Sequence, residues 1–136
     1  MHASPEQHAE NLNQVLVVGK SPVNRVVVAK IVERSGLKPV SESPEQAVKS
    51  LSSLVPGMVI LDGGASNNDC DQVLALLRDR RRVSAKNLPA VILLSTATAD
   101  TSALTANPGV DAVVAKPITT ETLQPTIDRL HARARN

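Results

Sequence analysis

Four short polar segments whose residues could handle a phosphoryl group each follow an apolar run of the sequence. An aspartate, hydroxyl groups and two lysines are the side chains that such chemistry uses, although no obvious general base accompanies them. If the segments meet at one edge of a sheet, we expect their polar side chains to share a pocket. The four segments are Gly19-Lys20-Ser21, Asp62-Gly63-Gly64, Ser95-Thr96 and Lys116-Pro117.

The apolar runs that precede or separate these segments are typical of parallel strands. Four of the five are continuous rather than alternating, as expected for strands covered on both faces. Sites of open parallel sheets form beyond the carboxyl ends of the strands, where the polar segments fall. The predicted strands are Val15–Val18 (β1), a weaker Leu37–Val40 (β2), Met58–Leu61 (β3), Val91–Leu94 (β4) and Ala112–Ala115 (β5).

The first two helices between these strands have identifiable ends. The first (α1) has Ser21 as its cap, and Gly36 ends it. The second (α2) starts at Ser43-Pro44-Glu45-Gln46, which reads as a capping box. The apolar positions of α1 that fall on one face, and are therefore expected to face the core, are Val23, Val26, Val27 and Ile31.

Three more predicted helices complete the pattern. The third (α3) starts at Asp69 or Asp71, the fourth (α4) is a weak segment at about 100–106, and the fifth (α5) spans about 120–134. The inward positions of α3 are Val73, Leu76 and Leu77. The alternation predicts an α/β fold with a flavodoxin-like, doubly wound, five-stranded parallel sheet in the order 2-1-3-4-5 and helices on both faces. We expect residues 14–134 to form one domain after a disordered segment at 1–13.

Composition and charge argue against several functional classes. The 136 residues fit one domain, and the 42% hydrophobic content includes no run long enough to span a membrane. The polar N-terminus and the single Cys70 favour a cytoplasmic location. Arginines at 78 and 80–82 suit the C-terminus of a helix, and no aromatic residue is present to stack on a base, so we expect no nucleic-acid partner.

Taken in order, the motifs resemble those of response-regulator receiver domains over about residues 14–130. Such domains have a phosphoacceptor aspartate ending the third strand, a Ser or Thr ending the fourth, and a Lys-Pro, typically with a cis bond, after the fifth. Asp62, Ser95 and Lys116-Pro117 are the matching residues. The resemblance implies two-component or phosphorelay signal transduction, with Asp62 as phosphoacceptor and Ser95 and Lys116 as the phosphate and switch residues.

The sequence departs from the family pattern around the metal. Receiver domains have two acids after the first strand that hold Mg²⁺, and Gly19 and Lys20 stand in those places. Gly64 replaces the Met or Asn often found two residues beyond the phosphoacceptor. We therefore expect no metal cofactor, a receiver degenerate in Mg²⁺-dependent phosphorylation, and a contact between Lys20 and Asp62 in the cation's place.

The resemblance also implies a partner and a mode of action. We expect a protein partner, either a histidine kinase or an output protein, at the face formed by α4, β5 and α5, with no enzymatic activity and no catalytic residues. Asn24 and Arg25 are expected on the surface. Cys70 lies near a helix start, where its thiol pKa could fall, but a single exposed or half-buried thiol is more often inert.

Two other classes of function are alternatives to a receiver domain. The main alternative is a stand-alone binding or scaffold module without phosphoryl chemistry, dimerising through the first or fourth helix. A nucleotide- or flavin-binding protein is disfavoured because no glycine-rich loop follows β1 and no aromatic side chain could sandwich a ring.

Overall fold

The computed structural model describes residues 11–64, 68–83, 89–95 and 109–135. Its five strands form one parallel sheet in the order β2-β1-β3-β4-β5, which confirms the predicted fold class and strand order. The strands are β1 (Asn11–Val18), β2 (Lys38–Glu42), β3 (Pro56–Asp62), β4 (Ala90–Ser95) and β5 (Ala112–Ala115).

Four described helices cover the two faces of this sheet. They are α1 (Pro22–Arg34), α2 (Pro44–Ser50), α3 (Asp71–Val83) and α5 (Thr120–Arg135). The predicted α4, at about 100–106, lies outside the described residues, and the last helix keeps the label α5. None of the described helices is long and apolar enough to cross a membrane.

The core consists of two aliphatic layers, one on each face of the sheet. Successive strand residues point to opposite faces, so each strand contributes alternate side chains to the two layers. In β1, Val15 and Val17 pack with α1 and α5, whereas Leu16 and Val18 pack with α2 and α3. This packing on both faces explains why the central strands are continuously apolar.

The helix starts follow the capping signals of the sequence. The hydroxyl of Ser21 accepts a hydrogen bond from the backbone N–H of Asn24 at 3.1 Å, which fixes the first turn of α1. At α2, Ser43 and Gln46 form the reciprocal capping box that was predicted. Both prolines, at 22 and 44, lie in the first turn, where no N–H is required.

Three details of the prediction are wrong. The strand β1 begins at Asn11, so residues 11–13 belong to the sheet and not to a disordered segment. The buried face of α1 consists of Val28, Ile31 and Val32, while the valines at 23, 26 and 27 are exposed. Because α1 is apolar around most of its circumference, two of its faces have apolar residues at helical spacing. The sequence alone does not decide which of the two packs against the sheet. In α3, Leu76 is exposed although its neighbour Leu77 is buried.

Candidate functional site

Asp62 lies at the carboxyl tip of β3 and is only 5% exposed. Its Oδ1 accepts hydrogen bonds from the ammonium of Lys116 at 2.6 Å and from the backbone N–H of Gly64 at 3.1 Å. Its Oδ2 accepts a hydrogen bond from the side-chain amide of Asn24 at 2.9 Å. Both oxygens of the carboxylate are therefore engaged by donors of the protein itself.

These contacts decide the charge of Asp62. Burial alone would raise the pKa of the carboxyl group, but hydrogen bonds from Lys116, Asn24 and Gly64, together with the charge of Lys116, hold the pKa below its ordinary value. Asp62 is consequently an ionised carboxylate at neutral pH. The pocket is a compact ion pair with two additional donors.

Ser95, at the end of β4, and Lys116, directly after β5, lie at the same edge of the sheet as Asp62. Asp62 is in register with Leu94 and Ser95 with Ala115, so the tips of β3, β4 and β5 lie side by side. The backbone N–H of Lys116 donates to the carbonyl of Ser95 at 2.9 Å, and the Lys116–Pro117 peptide bond is cis. The predicted meeting of the three strand tips is thus present in the structure.

The hydroxyl of Ser95 stands apart from the other polar groups of the pocket. Ser95 is fully buried, and its Oγ has no hydrogen-bond partner within the described part of the chain. A buried hydroxyl without a partner is unusual, because its desolvation is uncompensated. Among the described residues, this edge of the sheet therefore combines a buried hydroxyl without a partner and a carboxylate that accepts three hydrogen bonds.

The predicted contact between Lys20 and Asp62 is wrong. The ammonium of Lys20 lies 3.6 Å from Oδ1 of Asp69, and its side chain is 62% exposed. The backbone at Gly19 runs so close to Asp62 that a Cβ atom there would lie 2.9 Å from the Asp62 Cβ. Beyond this close approach, the chain directs Lys20 outward to the loop before α3.

Asn24 and Arg25, which the sequence predicted as surface residues, are half-buried and contact the site. Asn24 reaches Asp62, and the guanidinium of Arg25 donates to the carbonyl of Gly19 at 2.5 Å. Their position in the sequence could have indicated this role, since both residues lie in the first turn of a helix that starts at the carboxyl tip of β1. Polar side chains in that turn can point back over the edge of the sheet.

The loop after β3 is shaped by Gly64. Its φ of +73° is in the region that favours glycine, and a Cβ atom there would overlap the carboxylate of Asp69. A side chain at this position would therefore have to displace the carboxylate of Asp69. Asp69 in turn pairs with Lys20, so Lys20 and Gly64 belong to one local arrangement.

Cys70 is buried directly beneath the pocket. Its Sγ donates to the carbonyl of Asp62 at 3.2 Å. Burial, followed by the charges of Asp62, Asp69 and Asp71, raises the pKa of the thiol to about 12. Of the two possibilities that the sequence left open, a lowered thiol pKa near a helix start and an inert thiol, the raised pKa supports the second, because desolvation and the surrounding carboxylates dominate.

The residues of this pocket do not fit a magnesium ion. Mg²⁺ requires a near-octahedral set of oxygen ligands, usually with one or two carboxylates. Gly19 and Lys20 offer no carboxylate, and an ammonium and two N–H donors already occupy both oxygens of Asp62. In the part of the chain that the structure describes, no group of three His, Cys, Asp or Glu residues could hold a metal ion.

Comparison by sequence finds no matching family model and no matching curated protein. Comparison by structure finds similar folds. A signal receiver domain from Vibrio parahaemolyticus matches with a TM-score of 0.73 and 19% identity, covering 90% of this chain and 92% of the other.

Two further structures agree with this match. The signal receiver domain of a signal transduction histidine kinase from Syntrophus aciditrophicus has a TM-score of 0.70 and 22% identity, covering 88% of this chain and 90% of the other. The receiver domain of the Francisella response regulator 1452 has a TM-score of 0.72 and 18% identity, covering 89% and 98%. The chain therefore has the fold of response-regulator receiver domains.

Proposed function

We propose that this chain is a receiver-like module of two-component or phosphorelay signal transduction that binds its protein partner without being phosphorylated. The observation that carries the proposal is the engagement of both Asp62 oxygens by protein donors. Asp62 occupies the position that the family uses as phosphoacceptor. Here the position carries a fixed ion pair.

The contacts of Lys116 support a partner surface with one fixed conformation that does not depend on phosphorylation. In the family, the lysine after the fifth strand pairs with the phosphate. In this chain the ammonium of Lys116 pairs with the Asp62 carboxylate itself, while its N–H is tied to Ser95. One residue thus links the tips of β3, β4 and β5 without a phosphoryl group, and no step in this account requires enzymatic catalysis or a metal.

The partner surface that we propose is the face formed by α4, β5 and α5. The described part of this face adjoins Lys116 directly, since β5 ends at Ala115 and α5 starts at Thr120. A histidine kinase or an output protein would therefore contact elements whose position depends on the Lys116–Asp62 pair.

The proposal is tested by adding Mg²⁺ and beryllofluoride, a phosphoryl mimic, while recording the amide NMR spectrum. We expect no saturable shift of the Gly63, Gly64 and Lys116 signals at millimolar magnesium. The variant Asp62→Asn provides the baseline for nonspecific shifts. Saturable binding in the wild type that Asp62→Asn abolishes would overturn the phosphate-independent function.

A second candidate function is a scaffold module that dimerises through α1. The observation that favours it is the exposure of Val23, Val26 and Val27, which are 72%, 54% and 38% exposed on one helix. Sedimentation equilibrium of the wild type and Val26→Glu distinguishes the two functions. A wild-type dimer that Val26→Glu dissociates, and that Asp62→Asn leaves intact, would favour the scaffold.

A further inference from the structure

We propose that Asn24 is a positioning residue that closes the Asp62 pocket to divalent cations by occupying Oδ2. The inference rests on the proposed metal-independent function and assigns it to a specific side chain. Asn24 was not part of the expected site, and its amide is the donor that the structure describes on Oδ2.

The two oxygens of Asp62 face different surroundings. Oδ1 is committed to Lys116 and Gly64, so a cation at that oxygen would have to displace an ammonium. Oδ2 faces the tip of β1, since a Cβ atom built on Gly19 would lie 3.5 Å from it. Within the described residues, the side of β1 and α1, where Asn24 lies, is therefore the side from which a cation would approach Oδ2.

Asn24 is held in place to make this contact. Its backbone N–H is bound by the hydroxyl of the cap Ser21, and the next residue, Arg25, donates to the carbonyl of Gly19. The first turn of α1 is thereby fastened to the loop that follows β1. The side-chain amide projects from this fixed turn to Oδ2 at 2.9 Å, so little conformational entropy opposes the hydrogen bond.

The chemistry of the amide explains the exclusion of a cation. With its NH₂ group directed to Oδ2, Asn24 presents hydrogens where a cation would need to bind, and its carbonyl oxygen points away from the carboxylate. A cation at the place of this amide could bind only if the amide turned around and the hydrogen bond were lost. Asn24 thus supplies a partial positive charge at the place where the family pattern has a metal.

The experiment compares divalent-cation binding by Asn24→Asp and by Val23→Asp. Both substitutions add one carboxylate to the first turn of α1, but position 24 faces Asp62 and position 23 is exposed. Mn²⁺ is the probe, and paramagnetic broadening of the Gly63 and Gly64 amide signals reports its location. We expect Asn24→Asp to bind Mn²⁺ at least about tenfold more tightly than Val23→Asp, with broadening at these glycines, because a pair of carboxylates suits a hard cation.

A second variant keeps the proposal testable if the paired carboxylates destabilise the fold. Asn24→Ala removes the donor and adds no charge, and we expect a smaller but measurable gain of Mn²⁺ broadening at Gly64 over the wild type. Circular dichroism checks that each variant is folded.

The outcomes separate the two proposals. If Asn24→Asp binds Mn²⁺ no more tightly than Val23→Asp, and Asn24→Ala shows the same broadening as the wild type, the role of Asn24 is overturned. If the wild type also shows no binding of Mn²⁺ at the pocket, that result still supports the metal-independent function. If the wild type already binds Mn²⁺ at Gly64 as tightly as Asn24→Asp, both proposals are overturned.

Discussion

Two aspartates at opposite ends of the sheet, both with largely covered side chains, have different kinds of partners. Asp62 is at the carboxyl tip of β3, whereas Asp111 lies just before β5, at the amino end of the sheet, where its backbone N–H pairs with Val91. The two oxygens of Asp111 receive a bidentate guanidinium from Arg81 at 3.0 and 3.1 Å and a second guanidinium from Arg133 at 3.2 Å. The backbone N–H of Val91 adds a fourth donor at 2.7 Å.

The two networks differ in whether their partner groups can both donate and accept hydrogen bonds. Guanidinium and backbone N–H groups can only donate, so the Asp111 network has one satisfied arrangement. The Asp62 pocket includes an amide that can present either end and a buried serine hydroxyl without a partner within the described residues. The Asp111 network therefore has no second satisfied arrangement, whereas the Asp62 pocket contains one donor, the Asn24 amide, that could be reversed if its partner were substituted.

The arginine cluster of α3 belongs to the fixed end of the molecule. Arg81 is part of the Asp111 network, and Arg80 donates to the carbonyls of Leu51 and Leu54 at the end of α2. The exposed Arg82 pairs with Asp79. These intramolecular contacts give the cluster a structural role that its sequence alone did not specify.

The largest effect that we predict is from Asp111→Asn. In either orientation the new NH₂ group would face a guanidinium or the Val91 N–H, so two donors would oppose each other in a buried site. We expect the free energy of unfolding to fall by about 3 kcal/mol, as when a buried ion pair is broken. Urea denaturation measures it.

The matched control for this prediction is Asp79→Asn. Asp79 pairs with Arg82 in an exposed position, so its loss should change the free energy of unfolding by less than about 0.5 kcal/mol. An equal effect of the two substitutions would remove the distinction between a fixed network and an ordinary surface pair.

The second prediction is that Asp62→Asn is much milder than Asp111→Asn. The new amide oxygen can still accept from Lys116 and Gly64, and its NH₂ group can donate to Asn24 after the Asn24 amide turns around. We expect a loss of less than about 1 kcal/mol, because the hydrogen bonds survive and one charge is lost. A loss as large as that of Asp111→Asn would show that both ends of the sheet are equally rigid.

The third prediction is that the contribution of Asp62 to the free energy of unfolding is lost at acidic pH. The pKa of Asp62 is depressed in the folded protein below its ordinary value of 3.8, so its contribution to stability is complete above that value and is lost as the pH falls through the lower, folded pKa. The difference in free energy of unfolding between the wild type and Asp62→Asn should therefore shrink between about pH 5 and about pH 2. A difference that grew on acidification would contradict the assigned direction of the shift.

The smallest effect concerns Cys70, which reports on the pocket end of the sheet. Its thiol is buried, and its pKa is raised to about 12, so it should react slowly with a thiol reagent in the native protein. We expect Asp111→Asn to speed labelling through global unfolding, and Asp62→Asn to change it little. Rapid labelling of the native wild type would show that the pocket opens readily.

The sequence predicted the fold better than the details of the pocket. Strand order and the meeting of Asp62, Ser95 and Lys116 follow from apolar runs and from the rule that sites form at carboxyl ends of strands. Asn24 rather than Lys20 is the partner of Asp62 because the backbone at Gly19 approaches Asp62 closely, and the sequence shows this glycine without showing what packs against it. The Asp111 network likewise joins residues 30 positions apart through packing of α3.

Donors of the protein, and not a metal ion or a phosphoryl group, occupy both oxygens of Asp62. Incubation with acetyl phosphate and Mg²⁺, followed by intact mass spectrometry, measures whether Asp62 can still accept a phosphoryl group. We predict that the wild type gains no phosphoryl group and has the same mass profile as Asp62→Ala. A phosphoryl adduct that forms on the wild type and is absent from Asp62→Ala would contradict the account.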